Sequence, residues 1–231
     1  MQRREKIILG LDTSGSPLLL AVEKNGKVWS RKKSGVKQER LLFPTLNSAL
    51  QAAGAEMEDI SRIFIIRGPG RFTGIRISLT FASMLKYLNN TEVRGATLFE
   101  ALHRQVQKSP AFKKWKTQQP QGVIAVVLHA FREEYFLQFF DDKNQGPAWL
   151  TREELLSRLE NYPQPLFLAG EDKNHEPLEG LVGARYTLAD AKTSALQPKT
   201  LLEMAQDDSL TDNALEPLYL KPARFELITL K

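Results

Sequence analysis

The sequence predicts an α/β protein in which one arrangement of strands and helices is used twice. Three observations predict it. Aliphatic runs of strand length alternate with longer stretches of helical period. The order three strands, helix, strand, helix, strand, helix runs through residues 7–107 and is repeated, less clearly, from residue 123. Between the copies, residues 108–122 are polar and carry Pro110 and Pro120, which marks a boundary. The lobes are therefore expected at 1–108 and 109–231. A chain of 231 residues, 42% hydrophobic, can bury a core in each.

In the first copy, Ile7-Ile8-Leu9-Gly10-Leu11-Asp12 reads as a buried strand and Leu18 to Glu23 as a second. Asn25-Gly26 then supplies the two residues that tolerate positive φ in a type I′ turn, so Val28 to Lys33 returns as the third strand of a hairpin. Gln38 to Ala53 has helical period and ends near Gly54; Pro44 inside it should kink the helix or mark its true start. Arg62 to Ile66 is a strand, Gly74 to Leu88 a helix, Glu92 to Ala96 a strand and Thr97 to Gln107 a helix.

In the second copy, Val123 to Leu128, Glu134 to Phe140 and Ala148 to Leu150 read as strands. Thr151, with Glu154 three residues on, forms a capping box for a helix reaching about Asn161. Leu166 to Ala169 is a strand, Glu176 to Leu181 a weak helix, Arg185 to Leu188 a strand and Thr200 to Gln206 a helix. Two consecutive units of this kind, each ribonuclease-H-like, make up the actin/sugar-kinase/Hsp70-like (ASKHA) architecture.

Composition narrows the chemistry. With no cysteine, disulfides, thiolate catalysis and cysteine-ligated zinc are excluded. The N-terminal stretch lacks the long apolar region of a secretory signal, and no run is long enough to span a membrane, so a cytoplasmic protein is expected. The net charge of +5 is uneven: residues 1–116 hold 21 Lys and Arg against 9 Asp and Glu, the remainder 11 against 18. A basic first half suits an anionic partner, either tRNA or an acidic protein surface. Lys113-Lys114-Trp115-Lys116 could stack on nucleic acid, although a solvated stretch with one anchoring tryptophan explains the same residues.

The most informative segment is Gly68-Pro69-Gly70-Arg71-Phe72-Thr73-Gly74-Ile75-Arg76, which follows a strand and opens a helix. It is neither a Walker A loop nor G-x-G-x-x-G. Thr73 can cap the helix. The residues alone leave two readings open: a turn that binds an anion at a helix N-terminus, or a tightly packed strand–helix turn that needs glycine for space.

This segment resembles the G-P-G-S-F-T-G-[LI]-R-[IV] signature of the TsaB family, also called YeaZ, with Arg71 in place of the serine. Ile8-Leu9-Gly10-Leu11-Asp12-Thr13-Ser14 is similar to that family's opening I-L-A-I-D-T-S, Arg40-Leu41-Leu42-Phe43-Pro44 to its L-L-P helix, Thr97-Leu98-Phe99-Glu100-Ala101-Leu102 to its S-L-x-A-L helix, and Pro217-Leu218-Tyr219-Leu220-Lys221 to P-x-Y-L-R. Where the family often opens its second half with Asp-Ala-Arg, this sequence has His129-Ala130-Phe131-Arg132.

The resemblance implies a noncatalytic scaffold subunit. It would pair with a catalytic paralogue, TsaD, which transfers threonylcarbamoyl to the adenosine adjoining the anticodon of tRNAs that read ANN codons. An ATPase subunit, TsaE, would join the complex, and the chain alone would form a homodimer. Phosphotransferases of this fold set carboxylates from both lobes around Mg²⁺-ATP. Here Asp12 stands at the first position, but His129 occupies the second. A residual phosphate or nucleotide site, for ATP or ADP, would involve Asp12, Thr13, Ser14, Gly68, Gly70 and Thr73. No H-x-x-x-H pair exists among His103, His129 and His175, so no metal site is expected. The alternatives are an active small-molecule kinase of the same fold and a stand-alone tRNA-binding module.

The partner surface is expected on the first two helices. Gly74, Ser78 and Ala82 recur every four residues, a ridge that would let a foreign helix approach, with Phe81 and Leu85 beside it. On the preceding helix, Leu46, Ala49, Leu50 and Ala53 would face the core, leaving Leu41, Thr45 and Ser48 as a second strip.

Overall fold

The computed structural model describes residues 6–35, 37–142, 145–170 and 186–221. They form two compact units. One holds the described residues up to Ala101 together with Gln197–Leu218; the other holds those from Leu102 to Leu196 and from Tyr219 on.

The first unit is built on strands β1 (Ile7–Asp12), β2 (Leu18–Lys24), β3 (Lys27–Lys33), β4 (Ile60–Ile66) and β5 (Glu92–Ala96), in the order β3-β2-β1-β4-β5. The hairpin closes as its dipeptide demands: Asn25 and Gly26 take φ of 52° and 77°, and Lys24 pairs with Lys27. β1 pairs antiparallel with β2 and parallel with β4, which pairs parallel with β5. The central strands are apolar on both faces because helices cover both. Helices α1 (Gln38–Ala52) and α2 (Phe72–Asn89) close one face over Leu9, Leu11, Leu20, Val22, Ile63 and Ile65. Helix α7 (Pro198–Ala205) closes the other against β1, β2 and β4. A Cβ on Gly10 would lie 2.5 Å from Leu201 Cβ, so α7 sits directly on the β1 backbone.

Pro44 does not start α1. The helix begins six residues earlier, and the proline lies on its exposed side, where the missing N–H forfeits only a bond to the Arg40 carbonyl. Trp29 and Arg31, on the α1 face of β3, tie strand to helix: Trp29 packs on the core, and Arg31 donates to the Ser48 hydroxyl and carbonyl.

The second unit repeats the sheet. Strands β6 (Val123–Phe131), β7 (Glu134–Phe140), β8 (Ala148–Thr151), β9 (Leu166–Ala169) and β10 (Tyr186–Leu188) run β10-β9-β6-β7-β8, the same order by position in the repeat. Helix α5 (Arg152–Glu160) packs on β7 and β8 and opens with the expected capping box between Thr151 and Glu154. A short helix α6 (Ala191–Ser194) is capped by Asp190. Two sheets of one topology in one chain are the ASKHA arrangement.

Two expectations need correction. Residues 110–118 are not a solvated linker but a helix, α4 (Pro110–Gln118), capped by Ser109, with Pro110 in the first turn. Its Trp115 is buried against Phe112, Phe167 and Gly122, so it anchors the helix and presents no face to nucleic acid. The helix α3 (Leu98–Lys108) is divided between the units at Ala101, and Gln197–Leu218, placed in the second lobe by sequence, packs with the first. Long-range packing decides that placement, and local pattern carries no sign of it. The weak helix expected at Glu176–Leu181, with His175 and Arg185, lies outside the described residues.

Candidate functional site

Two of the segments that carry the resemblance, the loop after β1 and the turn before α2, meet at the C-terminal end of β1. Asp12 closes that strand and is 4% exposed; Thr13 and Ser14 are fully buried. One Asp12 carboxylate oxygen, Oδ1, accepts from the Ser14 amide at 2.8 Å and from its hydroxyl at 2.6 Å. The Thr13 hydroxyl donates to the Gly74 carbonyl at 2.6 Å, the Arg71 amide donates to the Ser14 carbonyl at 2.6 Å, and the Gln38 side chain donates to the Gly15 carbonyl. The turn before α2 is thus bonded to the loop after β1, sixty-one positions away in sequence for the Thr13–Gly74 pair.

The glycines serve that contact. A Cβ on Gly70 would stand 2.5 Å from the Ser14 carbonyl oxygen, and one on Gly74 would stand 1.9 Å from that of Thr13. Gly68 has φ of 126° and lies against the Leu218 carbonyl, while the Leu218 amide donates to the Arg67 carbonyl. Of the two readings left open by the signature, the structure favours the packed turn. Gln38, which sequence reasoning missed, gives no local signal; only the fold brings it to Gly15.

Thr73 does not cap α2. The helix starts earlier, at Phe72; Arg71 is its N-cap residue and offers no side-chain acceptor, and Thr73 points to solvent. Serine, the residue the signature usually has at this place, would accept from a first-turn amide. Arg71→Ser should therefore stabilise the protein by on the order of 1 kcal/mol, seen as a rise of about 2–4 °C in melting temperature; an unchanged melt would show that the first-turn amides are already satisfied.

Burial pushes the Asp12 carboxyl above its ordinary range, and the two hydrogen bonds from Ser14 only partly oppose this. A carboxyl whose folded pKa is raised binds its proton more tightly when folded. Folding stability then falls as pH rises from the unfolded value of 3.8 through the folded one, and the full penalty stands at neutral pH. Asp12→Asn keeps an oxygen acceptor for Ser14 and removes the charge. The variant should melt at least about 2 °C above the parent at pH 7, with the gap narrowing towards pH 4; a lower melting temperature at pH 7 would refute the burial argument.

The second unit brings no acid to the corresponding strand. His129 Nε2 bonds the Arg132 carbonyl at 2.6 Å across the β6–β7 turn, where Arg132 takes φ of 54°. His103 stacks on Phe140 with ring centres 3.9 Å apart. Among the described residues no three His, Cys, Asp or Glu side chains are grouped to hold a metal ion. Lys221, the last residue of the P-x-Y-L-R-like segment, forms an ion pair with Glu134 and lies 5.4 Å from the Trp149 ring.

The small-residue ridge on α2 is not an outer surface. Gly74, Ser78, Phe81, Ala82 and Leu85 are buried, and Phe81, Ala82 and Leu85 belong to the core of the first unit. On α1, Thr45 is buried and Leu41 half-buried on that core, and Ser48 is exposed but engaged by Arg31. An apolar pattern on several sides of a helix shows that it is enclosed without showing by what, and here much of the enclosure is the chain's own sheet. What the helix pair does expose is Phe43 (44%), Phe72 (52%), Tyr87 (88%) and Leu88 (66%), half of the eight exposed large apolar side chains among the described residues.

Residues 34–134 match the family model of TsaD, tRNA N6-adenosine threonylcarbamoyltransferase. The tRNA threonylcarbamoyladenosine biosynthesis protein TsaB of Bacillus subtilis (strain 168) is 24% identical over 229 residues, which cover 95% of this chain and 96% of that one. TsaB of Buchnera aphidicola subsp. Schizaphis graminum is 29% identical over 144 residues, 62% of this chain and 64% of that one. The solved structure of YeaZ from Pseudomonas aeruginosa superposes with a TM-score of 0.66 at 21% identity, over 93% of this chain and all of that one, and so shares the fold. Signature, topology and relatives point the same way: the chain is similar to TsaB (YeaZ) proteins along almost its whole length.

Proposed function

We propose that this chain acts in the synthesis of threonylcarbamoyladenosine in tRNA as a noncatalytic subunit that pairs with a catalytic paralogue of the TsaD type, with a TsaE-type ATPase joining them. The observation that carries the role is the B. subtilis TsaB relative, a biosynthesis protein for this nucleoside, aligned over almost the whole of both chains. The noncatalytic assignment rests on Asp12, a buried carboxylate engaged by Ser14, and on His129, which stands near the end of β6 where a kinase of this fold would need a second acid. A small-molecule kinase is for that reason not favoured.

The partner surface is the exposed side of α1 and α2, with Phe43, Tyr87 and Leu88 as its apolar anchors. In isolation the same side would pair with a second copy. A complementation experiment tests both statements. Depleting the protein should lower threonylcarbamoyladenosine in bulk tRNA, measured by mass spectrometry, by tenfold or more. The parent gene should restore it, and a folded Tyr87→Asp, Leu88→Asp double variant should not. An unchanged nucleoside level after complete depletion would remove the role; full rescue by the double variant would remove the surface.

A further inference from the structure

A strongly basic run lies along the open edge of the first sheet. Between Lys24 and Arg40 the sequence holds seven Lys and Arg and one carboxylate, Glu39, so this stretch alone exceeds the +5 of the whole chain. The fold lays these residues out as one strip: the β2–β3 turn, then β3, an edge strand with no neighbour on its outer side among the described residues, then the first turn of α1. Lys27, Lys32, Lys33, Lys37 and Arg40 are exposed, and none pairs with a carboxylate among the described residues.

Lysines on an edge strand also prevent edge-to-edge aggregation. That purpose accounts for Lys27, Lys32 and Lys33. It does not account for Lys37 and Arg40, which continue the strip beyond the sheet. Lys37 is moreover the N-cap residue of α1, where its charge faces the positive end of the helix dipole and offers no acceptor to the first turn. An anion laid along the strip would relieve both the mutual repulsion and that placement. The character of the strip selects the anion. Centres of protein interfaces are depleted of lysine and enriched in aromatic side chains, whereas this strip is mostly lysine, and its one aromatic ring, Trp29, packs on the core. Lys27 and Lys33, six residues and about 20 Å apart on one face of β3, and Lys32 on the other present separate point charges without side chains placed to read bases.

We infer that the β3 edge, with the start of α1, is a contact surface for the phosphate backbone of RNA, and of tRNA in particular. The choice of tRNA rests on the function proposed above; the strip itself does not. The test uses the purified full-length chain, fluorescently labelled bulk tRNA and binding by anisotropy between 50 and 200 mM salt. Lys27→Glu, Lys32→Glu, Lys33→Glu together should weaken binding at least tenfold at 100 mM salt, and should reduce the slope of log affinity against log salt by about 2–3. The neutral triple variant to glutamine should lose less affinity but a similar slope. Both should melt as the parent does, because the three side chains are exposed and pair with no carboxylate among the described residues. A variant that melts normally and binds tRNA with parental affinity and slope overturns the inference, including the case in which it has lost an acidic protein partner instead. If depletion leaves the nucleoside unchanged while the strip variants lose tRNA, the function falls and the strip stands; the reverse pair of results removes the strip alone.

Discussion

Replacing Gly74 with alanine is expected to destabilise the first unit by about 3 kcal/mol or more and to lower its melting temperature by roughly 10 °C. Within a helix this substitution ordinarily helps by about 1 kcal/mol. Here the added Cβ would come within 1.9 Å of the Thr13 carbonyl oxygen. Both partners are main chain, so no side-chain rotation relieves the overlap; α2 or the loop after β1 must move. Either movement strains the bonds from Thr13 to the Gly74 carbonyl and from Arg71 to the Ser14 carbonyl. Thermal denaturation followed by circular dichroism reads the effect. A melting temperature equal to or above the parent's would show that the signature glycine is kept for some purpose other than space.

Ala82→Arg should prevent the first unit from folding. The Ala82 side chain has no exposure and lies in the cluster with Ile75, Phe81 and Leu85. A guanidinium there would be buried without a partner, at a cost of about 4 kcal/mol or more, beside the overpacking of a long side chain into a filled core. Loss of soluble protein, or a lost cooperative transition, is the expected result. Thr80→Arg, two positions away on the exposed side of the same helix, should change stability by less than about 0.5 kcal/mol. A soluble Ala82→Arg variant melting like the parent would mean that α2 presents this face outward after all.

The helix on which that contrast depends shows where sequence reasoning succeeds and where it stops. Signals that act over a few residues were legible: Asn25-Gly26 as the hairpin turn, Thr151 and Glu154 as a capping box, and the strands Glu92 to Ala96 and Leu166 to Ala169 to the residue. The apolar pattern of α2 was legible too, but periodicity cannot say which neighbour covers which stripe. Gly74, Ser78 and Ala82 do allow a close approach, and the chain uses it internally. Ser109 and Pro110 are ordinary helix-start residues, yet the polar residues around them suggested a linker. The site divides in the same way. Asp12, Thr13, Ser14 and the glycines could be picked out, and the fold sets Gly70 and Gly74 against Ser14 and Thr13 but Gly68 against Leu218, whereas the reason for the glycines, a carbonyl in space at each one, has no trace in a linear pattern.

Helix α7 gives the chain an order of synthesis. Its Leu201 rests on Gly10, and Ala21 and Phe64 lie beside Gly10 on the same face of the sheet through their pairing in β2 and β4. All five strands of that sheet leave the ribosome before α7 has been made. At about 5–20 residues per second the wait is on the order of 10 s. For that interval the nascent first unit displays an apolar sheet face whose cover is still being translated, and it must be kept from other chains until the polypeptide has grown past Ala205.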